Sequence, residues 1–192
     1  MSVDPALPAV SGSAFEPDSD SNFDSDPAAP RIVAFEPGHA DAAIALILHV
    51  QNVEAGVAIP LDAQPELLDI VRHFADTGGG FWVALDAAGQ VVGTIGLQLQ
   101  APGIAVMKKF FVAAAWRGAG KGCASRLFAT LLARARQRRV TTLVLDTPAV
   151  ATRSHAFYRR HGFVEIAAHE LPVHYDFPDR DSLLFRLDLP HG

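Results

Sequence analysis

Residues 110–128 read FFVAAAWRGAGKGCASRLF and join an apolar, strand-like run to the start of a helix. Three glycines stand at alternate positions in the connection, at 118, 120 and 122. Glycine opens backbone conformations closed to other residues and lets a ligand approach closely. Because the first amides of a helix lack partners and carry partial positive charge, the stretch predicts a phosphate cradle, with Arg117 and Lys121 adding charge at its rim. A strand-to-helix turn that simply needs glycine is the alternative.

The composition fits one globular domain. The chain has 192 residues, of which 49% are hydrophobic and 19% are charged. No apolar run reaches the roughly 18 residues of a membrane helix, and the first residues lack a basic and apolar signal pattern. Cys123 is the only cysteine, so no internal disulfide can form, and we expect a reducing cytoplasm. Its place just inside a helix start predicts a lowered thiol pKa, although close packing is the expected role.

The net charge of −5 comes from the first 30 residues. They contain no Lys or Arg and carry six acids, Asp4, Glu16, Asp18, Asp20, Asp24 and Asp26. We therefore expect residues 1–30 to form a disordered acidic tail and residues 31–192 to form a single domain. The body has no basic excess, so nucleic acid is not an expected partner.

Hydrophobic periodicity predicts alternating strands and helices. Strands are expected at 31–35, 81–85, 91–99, 104–112, 141–146, 163–167 and 183–189, and helices at 40–53, 64–75, 125–138 and 152–161. The order β-α-α-β-β-β-α-β-α-β-β predicts an α/β protein of the α+β type, a mixed sheet with helices on both faces.

Other phosphate-binding motifs fit the glycine stretch less well. It departs at two positions from the nucleoside-triphosphate loop G-x-x-x-x-G-K-[ST]. A dinucleotide fingerprint is matched by Gly118 and Gly120, but its third position is Cys123. Asp146, at the end of the next strand, keeps that interpretation open, while five residues between Val112 and Gly118 make the turn less tight than it requires.

A third motif fits without a gap. Residues 117–122 read R-x-x-G-x-G after the strand end FFV, and this resembles the acyl-CoA-binding motif of the GCN5-related N-acetyltransferase (GNAT) superfamily. Residues 154–163, SHAFYRRHGF, resemble the A-x-x-[LF]-Y-x-x-x-G-F of that superfamily, and residues 78–97 resemble its central hairpin. Ser154 replaces the usual Ala, and Ala151 replaces an Asn often found there. The resemblance covers about residues 31–189.

The resemblance implies a fold and a co-substrate. It implies a mostly antiparallel sheet of about seven strands with a splayed parallel pair, which we expect to separate after Val112. It implies acetyl-CoA, with pantetheine along Phe110, Phe111 and Val112. The diphosphate would then lie on Arg117, Gly118, Ala119, Gly120, Lys121 and Gly122.

The resemblance also names a catalytic residue. It implies that Tyr158 protonates the leaving thiolate, which a phenol can do because it is protonated at neutral pH. Simple packing beside Phe157 is the alternative. The strand 106–110 carries no acid, so a base would come from elsewhere, unless the acceptor amine has a low pKa and needs none. The candidates are Glu54, His49, Asp146 and His174.

These features predict an acyl-CoA-dependent N-acetyltransferase that acts on a primary amine of a small molecule or peptide by direct attack in a ternary complex. Residues 49–80 and 169–181 are the expected walls of the acceptor site, and a homodimer is compatible with the resemblance. A non-catalytic acyl-CoA-binding module and a dinucleotide-binding oxidoreductase are the alternatives. No metal site is expected, since the histidines show no H-E-x-x-H spacing, and no membrane partner is expected.

Overall fold

The molecule is built around one seven-stranded sheet in which a parallel pair of strands comes apart. The computed structural model describes residues 29–118, 120–177 and 181–190. The expected disordered tail therefore lies outside the described residues, apart from positions 29 and 30. Where the two strands separate, the sheet opens into a cleft, and the rest of the fold positions its walls.

The strands follow one another in a nearly sequential order across the sheet, β1-β2-β3-β4-β5-β7-β6. All neighbours are antiparallel except β4 and β5. The bounds are β1 Arg31–Ala34, β2 Gly80–Leu85, β3 Val91–Ala101, β4 Ile104–Val112, β5 Thr142–Pro148, β6 Val164–Ile166 and β7 Ser182–Asp188. The expected mixed, mostly antiparallel sheet with one splayed parallel pair is confirmed.

Helices cover both faces of the sheet. They are α1 Ala40–Leu48, α2 Pro65–Leu68, α3 Cys123–Gln137 and α4 Thr152–Arg160. On one face, α3 buries Leu127, Phe128 and Leu131 in the larger core. On the other face, α1 buries Ala43 and Ile47 in a separate cluster. The apolar side predicted for α3, which carries Leu127, Phe128 and Leu131, is the side that it buries against the sheet.

Single turns complete the chain. Short 3-10 turns lie at Pro37–His39, Leu61–Ala63, Ala114–Trp116 and Ala168–Glu170, and wider π-type turns lie at His49–Glu54 and Val71–Ala75. The predicted helix 40–53 is therefore α-helical only in α1 and continues as the first π-type turn. The predicted helix 64–75 is interrupted at Asp69, whose Oδ1 accepts a hydrogen bond from the Arg72 amide at 3.1 Å and so begins a new turn.

The parallel pair separates earlier than the sequence led us to expect. Its register runs only from Ile104↔Thr142 to Val106↔Val144, while β4 stays paired with β3 as far as Val112. The expected separation after Val112 is therefore wrong by six residues.

A bulge in β4 accounts for the early separation. Opposite two steps of β3, from Thr94 to Gly96, β4 makes three, from Lys108 to Phe111. Lys109 takes a left-handed φ of 54°, and Thr94 Oγ1 donates to its carbonyl oxygen at 2.7 Å. A bulge bends and twists its strand, so β4 leaves β5 just beyond Val106.

None of the helices in the described ranges has the length and apolar character needed to cross a bilayer.

Candidate functional site

The gap between β4 and β5 opens into a cleft of about 1270 Å³. Its walls come from the separated half of β4, the end of β5, the glycine loop, α4 and the turn at His49–Glu54. Most small-molecule sites occupy about 300–1000 Å³. The cleft is thus large enough for a long ligand together with a second reactant.

One edge of β4 faces the cleft without a strand beside it. From Met107 to Val112 the strand pairs with β3 on one side, while its register with β5 has already ended. The side chains of this stretch are anchored: Phe110 packs on Phe157 with ring centroids 5.4 Å apart, and Phe111 packs into the cluster under α1. The free edge therefore offers rigid backbone groups to an extended ligand that carries amides.

The glycine loop also lines the cleft, through Gly118, Gly120 and Gly122. Gly118, Gly120 and Gly122 all take left-handed φ values, of 97°, 86° and 65°. No atom lies within 4 Å of where a Cβ would stand on Gly118 or Gly120. Gly122 precedes α3, and no side chain caps that helix. The first amides of α3 are therefore available to phosphate oxygens. Ala119 lies outside the described residues.

Arg117 turns away from the loop. Its Nε donates to the Val112 carbonyl oxygen at 2.6 Å, and its Nη1 forms an ion pair with Glu54 from the π-type turn after α1. Its Nη2 is buried with no hydrogen-bond partner. The side chain thus ties the α1 side of the cleft to the end of β4, and Lys121 remains as the exposed cation of the loop.

Three further arginines lie on the cleft wall and were not singled out from the sequence. Arg126 belongs to α3, and Arg153 and Arg160 belong to α4. Their positions become meaningful only once α3 and α4 are seen to line the cleft. They add positive charge where an anionic ligand would enter.

Tyr158 lies on α4, against Phe110 of β4 and Phe185 of β7. It is 5% exposed and packs among Phe110, Phe163 and Phe185, and it reaches the cleft. Burial raises the pKa of its phenol well above the ordinary value, and the nearby charge of Asp146 raises it further. Tyr158 therefore keeps its proton at neutral pH and can act only as a donor there.

The four candidate bases occupy different places. Glu54 and Asp146 line the cleft. His49 is largely exposed and lies 3.6 Å from Glu54, and His174 is exposed on the segment after the last 3-10 turn. Neither histidine belongs to the cleft wall. Across the described residues, no group of three or more His, Cys, Asp and Glu side chains is arranged to hold a metal ion.

A buried polar group at the bulge was missed from the sequence. Lys109 Nζ lies 3.0 Å from Glu66 Oε1 and donates to Gln64 Oε1 at 2.6 Å. Burial acts to raise the pKa of Glu66, but Lys109 and Lys108 outweigh it, so the pKa lies below the ordinary value. Burial lowers the pKa of Lys109 in spite of Glu66. Two lysines inside an apolar strand were the available signal, since buried lysines need acidic partners.

The segment 169–181, expected as the second wall, lies beside the cleft instead. Tyr175 is buried against Val106 and Val144, on the same face of the sheet as α1. None of the described residues of this segment belongs to the cleft wall. The other expected wall does line the cleft, since Gln51, Ile59 and neighbouring residues face it. Gln51 is 5% exposed, and its Nε2 has no hydrogen-bond partner, so it offers a donor to a ligand carbonyl.

The expected lowering of the Cys123 thiol pKa is wrong, whereas the expected packing role is confirmed. The residue is 1% exposed, and burial raises the pKa of its thiol to about 12. The helix start does not compensate, because the side chain points into the core, where its Sγ lies against Gly93. Its role is packing between α3 and β3.

Known proteins resemble this chain in sequence and in structure. Residues 44–163 match the profile of the acetyltransferase (GNAT) family. An acetyltransferase of Streptococcus agalactiae is 37% identical, with 83% of this chain and 98% of that chain covered and a TM-score of 0.80. A GNAT-family acetyltransferase of Staphylococcus aureus is 27% identical, with 84% and 100% covered and a TM-score of 0.78.

Curated relatives match over a shorter range. N-acetyltransferase 8B of Rattus norvegicus is 34% identical over 102 residues, which are 51% of this chain and 46% of that protein. The chain thus spans about half the length of the curated relatives that it matches.

Proposed function

Because the chain belongs to the acetyltransferase (GNAT) family, a family of N-acetyltransferase enzymes, we propose that it moves an acetyl group from acetyl-CoA to a primary amine by direct attack in a ternary complex. One observation carries the proposal: a single cleft joins the unpaired edge of β4 to the left-handed glycines and uncapped start of α3. Acetyl-CoA has amides at one end and a diphosphate further along, in the same order.

The proposed binding mode follows this order. Pantetheine adds along the free edge at Phe110, Phe111 and Val112, where its amides take the place of the missing strand. The diphosphate lies on the loop from Arg117 to Gly122, including Ala119, and meets the first amides of α3. Arg117 contributes mainly by holding the Val112 carbonyl and Glu54 in place, and Lys121 contributes charge at the exposed rim.

The chemical step needs a protonated group beside the thioester sulfur. The amine nitrogen attacks the thioester carbonyl, the carbonyl oxygen becomes an oxyanion, and the C–S bond then breaks. We assign the proton for the departing thiolate to the Tyr158 hydroxyl, which reaches the cleft and stays protonated at neutral pH. Holding both reactants in one cleft supplies much of the remaining acceleration.

The proposed acceptor is a small molecule or peptide that carries a primary amine, entering on the α1 side, where Gln51 and Glu66 line the cleft. The test is a panel of such amines with acetyl-CoA, followed by thiol release and by the mass of the acetylated product. The single protein cysteine will not disturb this assay, because it is buried. The proposed setting is the cytoplasm, on the ground of that one cysteine.

Tyr158→Phe separates the enzyme from a non-catalytic acyl-CoA-binding module. Because the variant keeps the ring and loses only the proton donor, we expect kcat to fall about 10²-fold or more. The Kd for acetyl-CoA, measured by calorimetry, should change less than about twofold. An unchanged kcat would remove Tyr158 from the chemistry. A wild type that binds acetyl-CoA but acetylates no amine in the panel would favour the binding module.

A further inference from the structure

Asp146 lies where the two parallel strands first stand apart. The last partners in the register are Val106 of β4 and Val144 of β5. Lys108 comes two residues after Val106 in β4, and Asp146 comes two residues after Val144 in β5, so all four lie on the same face of the sheet. Lys108 and Asp146 would be opposite one another if the strands stayed together. Both now line the cleft instead. The carboxyl group therefore stands on the cleft wall, near the thioester end of the proposed pantetheine path.

Charged and hydroxyl-bearing groups surround Asp146 from each neighbouring element. Lys108 and Lys109 face it from β4, Tyr175 from the segment after the last 3-10 turn, and Tyr158 from α4. The Tyr175 hydroxyl is near enough to affect its pKa, although it makes no hydrogen bond of ordinary geometry. The proposed acid of the reaction is thus a direct neighbour of Asp146.

Glu66 engages both lysines and leaves Asp146 without a direct ion pair among the described residues. Lys109 Nζ lies 3.0 Å and Lys108 Nζ 3.9 Å from Glu66 Oε1, and Lys108 also donates to the Asp176 carbonyl oxygen at 3.0 Å. Asp146 is only partly buried, and it keeps accessible surface on the cleft. A carboxylate placed there has lone pairs free to accept a proton from a ligand.

We propose that Asp146 is the general base of the reaction and accepts the proton that the acceptor ammonium must lose before it attacks. The inference rests on the proposed acetyl transfer and extends it by naming this residue. Glu66 acts as a positioning residue, because it draws the lysines away from Asp146 while their charges remain close.

The protons balance as follows. One Asp146 oxygen takes a proton from the ammonium, and the neutral nitrogen forms a bond to the thioester carbon. When the C–S bond breaks, the thiolate takes the Tyr158 proton. The phenolate then takes the second proton from nitrogen, and Asp146 releases its proton to solvent. The products are the acetamide, coenzyme A thiol and one proton, and Tyr158 and Asp146 return to their starting states.

The electrostatics of the site suit this division of roles. Burial raises the pKa of Asp146 above its ordinary value, and Lys108 and Lys109 only partly oppose the effect. A base works best when its pKa lies close to the working pH. The Asp146 charge in turn raises the pKa of Tyr158. Of these two neighbours, Asp146 is therefore suited to act as the base and Tyr158 as the acid.

The first test uses two amines that differ in whether they need a base. Ethylamine is an ammonium at neutral pH, whereas hydroxylamine is already largely unprotonated. With acetyl-CoA saturating, we expect Asp146→Asn to lower kcat/KM for ethylamine about 10²-fold or more and to affect hydroxylamine less than about tenfold. Asp188→Asn is the control, because Asp188 is exposed at the far end of β7 and pairs with Arg186.

The second test uses Lys108→Met and the pH profile of kcat/KM for ethylamine. Removing the lysine charge raises the pKa of Asp146, so the rising limb of the profile should move to higher pH. The ionisation of free ethylamine is the same for both enzymes, so the displacement reports on the protein. A purely structural role for Asp146 would leave the limb in place.

The outcomes separate this inference from the proposed function. Equal losses with both amines, or no loss with either, would overturn the assignment of Asp146 while leaving the acetyl transfer standing. A rising limb that does not move in Lys108→Met would also count against it. A wild type that releases no thiol with these two amines or with any amine of the panel would contradict the proposed function and the inference that rests on it.

Discussion

Asp146, which we propose as the general base, lowers the stability of the folded protein at neutral pH. Its pKa is raised in the folded protein by burial, so the folded state holds the proton more tightly than the unfolded chain. The associated stability is present at low pH and is lost as pH rises from the ordinary carboxyl range through the raised pKa. Asp146→Asn removes this dependence.

We therefore expect the Tm difference, Asp146→Asn minus wild type, to increase as pH rises from about 4 to 8. Scanning calorimetry of both proteins across this range checks the prediction. Asp188→Asn should show no such trend, because that side chain is exposed. A Tm difference for Asp146→Asn that stays flat with pH would show that the carboxyl is not perturbed by burial.

The sequence predicts some site residues and not others, for a physical reason. The position of Tyr158 on the cleft wall was predictable because its local pattern, residues 154–163, is contiguous and places it on a helix before a glycine. The neighbours of Asp146 were not, because they come from three separate elements. Likewise Glu66 and Lys109 are far apart in sequence, and only the bulge in β4 brings the lysine to the α2 side.

At the scale of elements, the glycine loop offers a matched pair of substitutions. Gly120 and Gly89 both take left-handed φ values, of 86° and 77°, and neither has an atom within 4 Å of a Cβ. An alanine at either position should therefore carry a similar backbone strain of about 1 kcal/mol. Only Gly120 lines the cleft, whereas Gly89 lies in the turn between β2 and β3.

We expect Gly120→Ala to raise the Kd for acetyl-CoA about tenfold or more, because the methyl group occupies the space where the diphosphate would approach and the loop amides shift. Gly89→Ala should change the Kd less than about twofold, with a comparable loss of Tm. Calorimetric titration of both variants makes the comparison. Equal Kd values for the two would mean that the loop does not hold the diphosphate.

Element boundaries were predictable where local pattern decides them. The bounds of β4 and the start of α4 are as expected, and most other ends differ by no more than two residues. The break at Asp69 was not predictable, because the Asp69 side chain caps the turn that follows and overrides helix periodicity there. The π-type turn after α1 was also not predicted. Strand order was also hidden: β7 inserts between β5 and β6, which periodicity cannot show.

At the scale of the whole molecule, the two cores on opposite faces of the sheet hold the cleft open from both sides. The larger core anchors α3, α4 and Phe110, while the second anchors α1 and Phe111. The Glu54–Arg117 pair connects the two sides at the end of β4. The cleft is therefore a consequence of the bulge and of this two-sided packing.

The charge of the chain is distributed unevenly around this cleft. All six acids of the first 30 residues precede Ala29, and that residue lies on the cleft wall. Pro30 follows directly, and its carbonyl oxygen accepts a hydrogen bond from Arg126 of α3 at 3.4 Å. The acidic segment is thus attached beside the glycine loop, and we propose residues 31–192 as the folded unit that binds acetyl-CoA.

If acetyl-CoA binds in this cleft, the six carboxylates of the segment that joins the described chain at Ala29 should oppose its phosphates. We expect a chain that begins at Ala29 to keep the Tm of the full chain and to bind acetyl-CoA several-fold more tightly at about 0.01 M ionic strength, where charges act over roughly 30 Å. At about 1 M salt the difference should vanish, since that range falls to about 3 Å. The full chain with its six acids changed to Asn or Gln should behave like the shortened one. This control distinguishes the charge of the segment from its volume. Tighter binding by the shortened chain alone would point to steric exclusion, and weaker binding would mean that residues 1–28 contribute contacts to the cofactor.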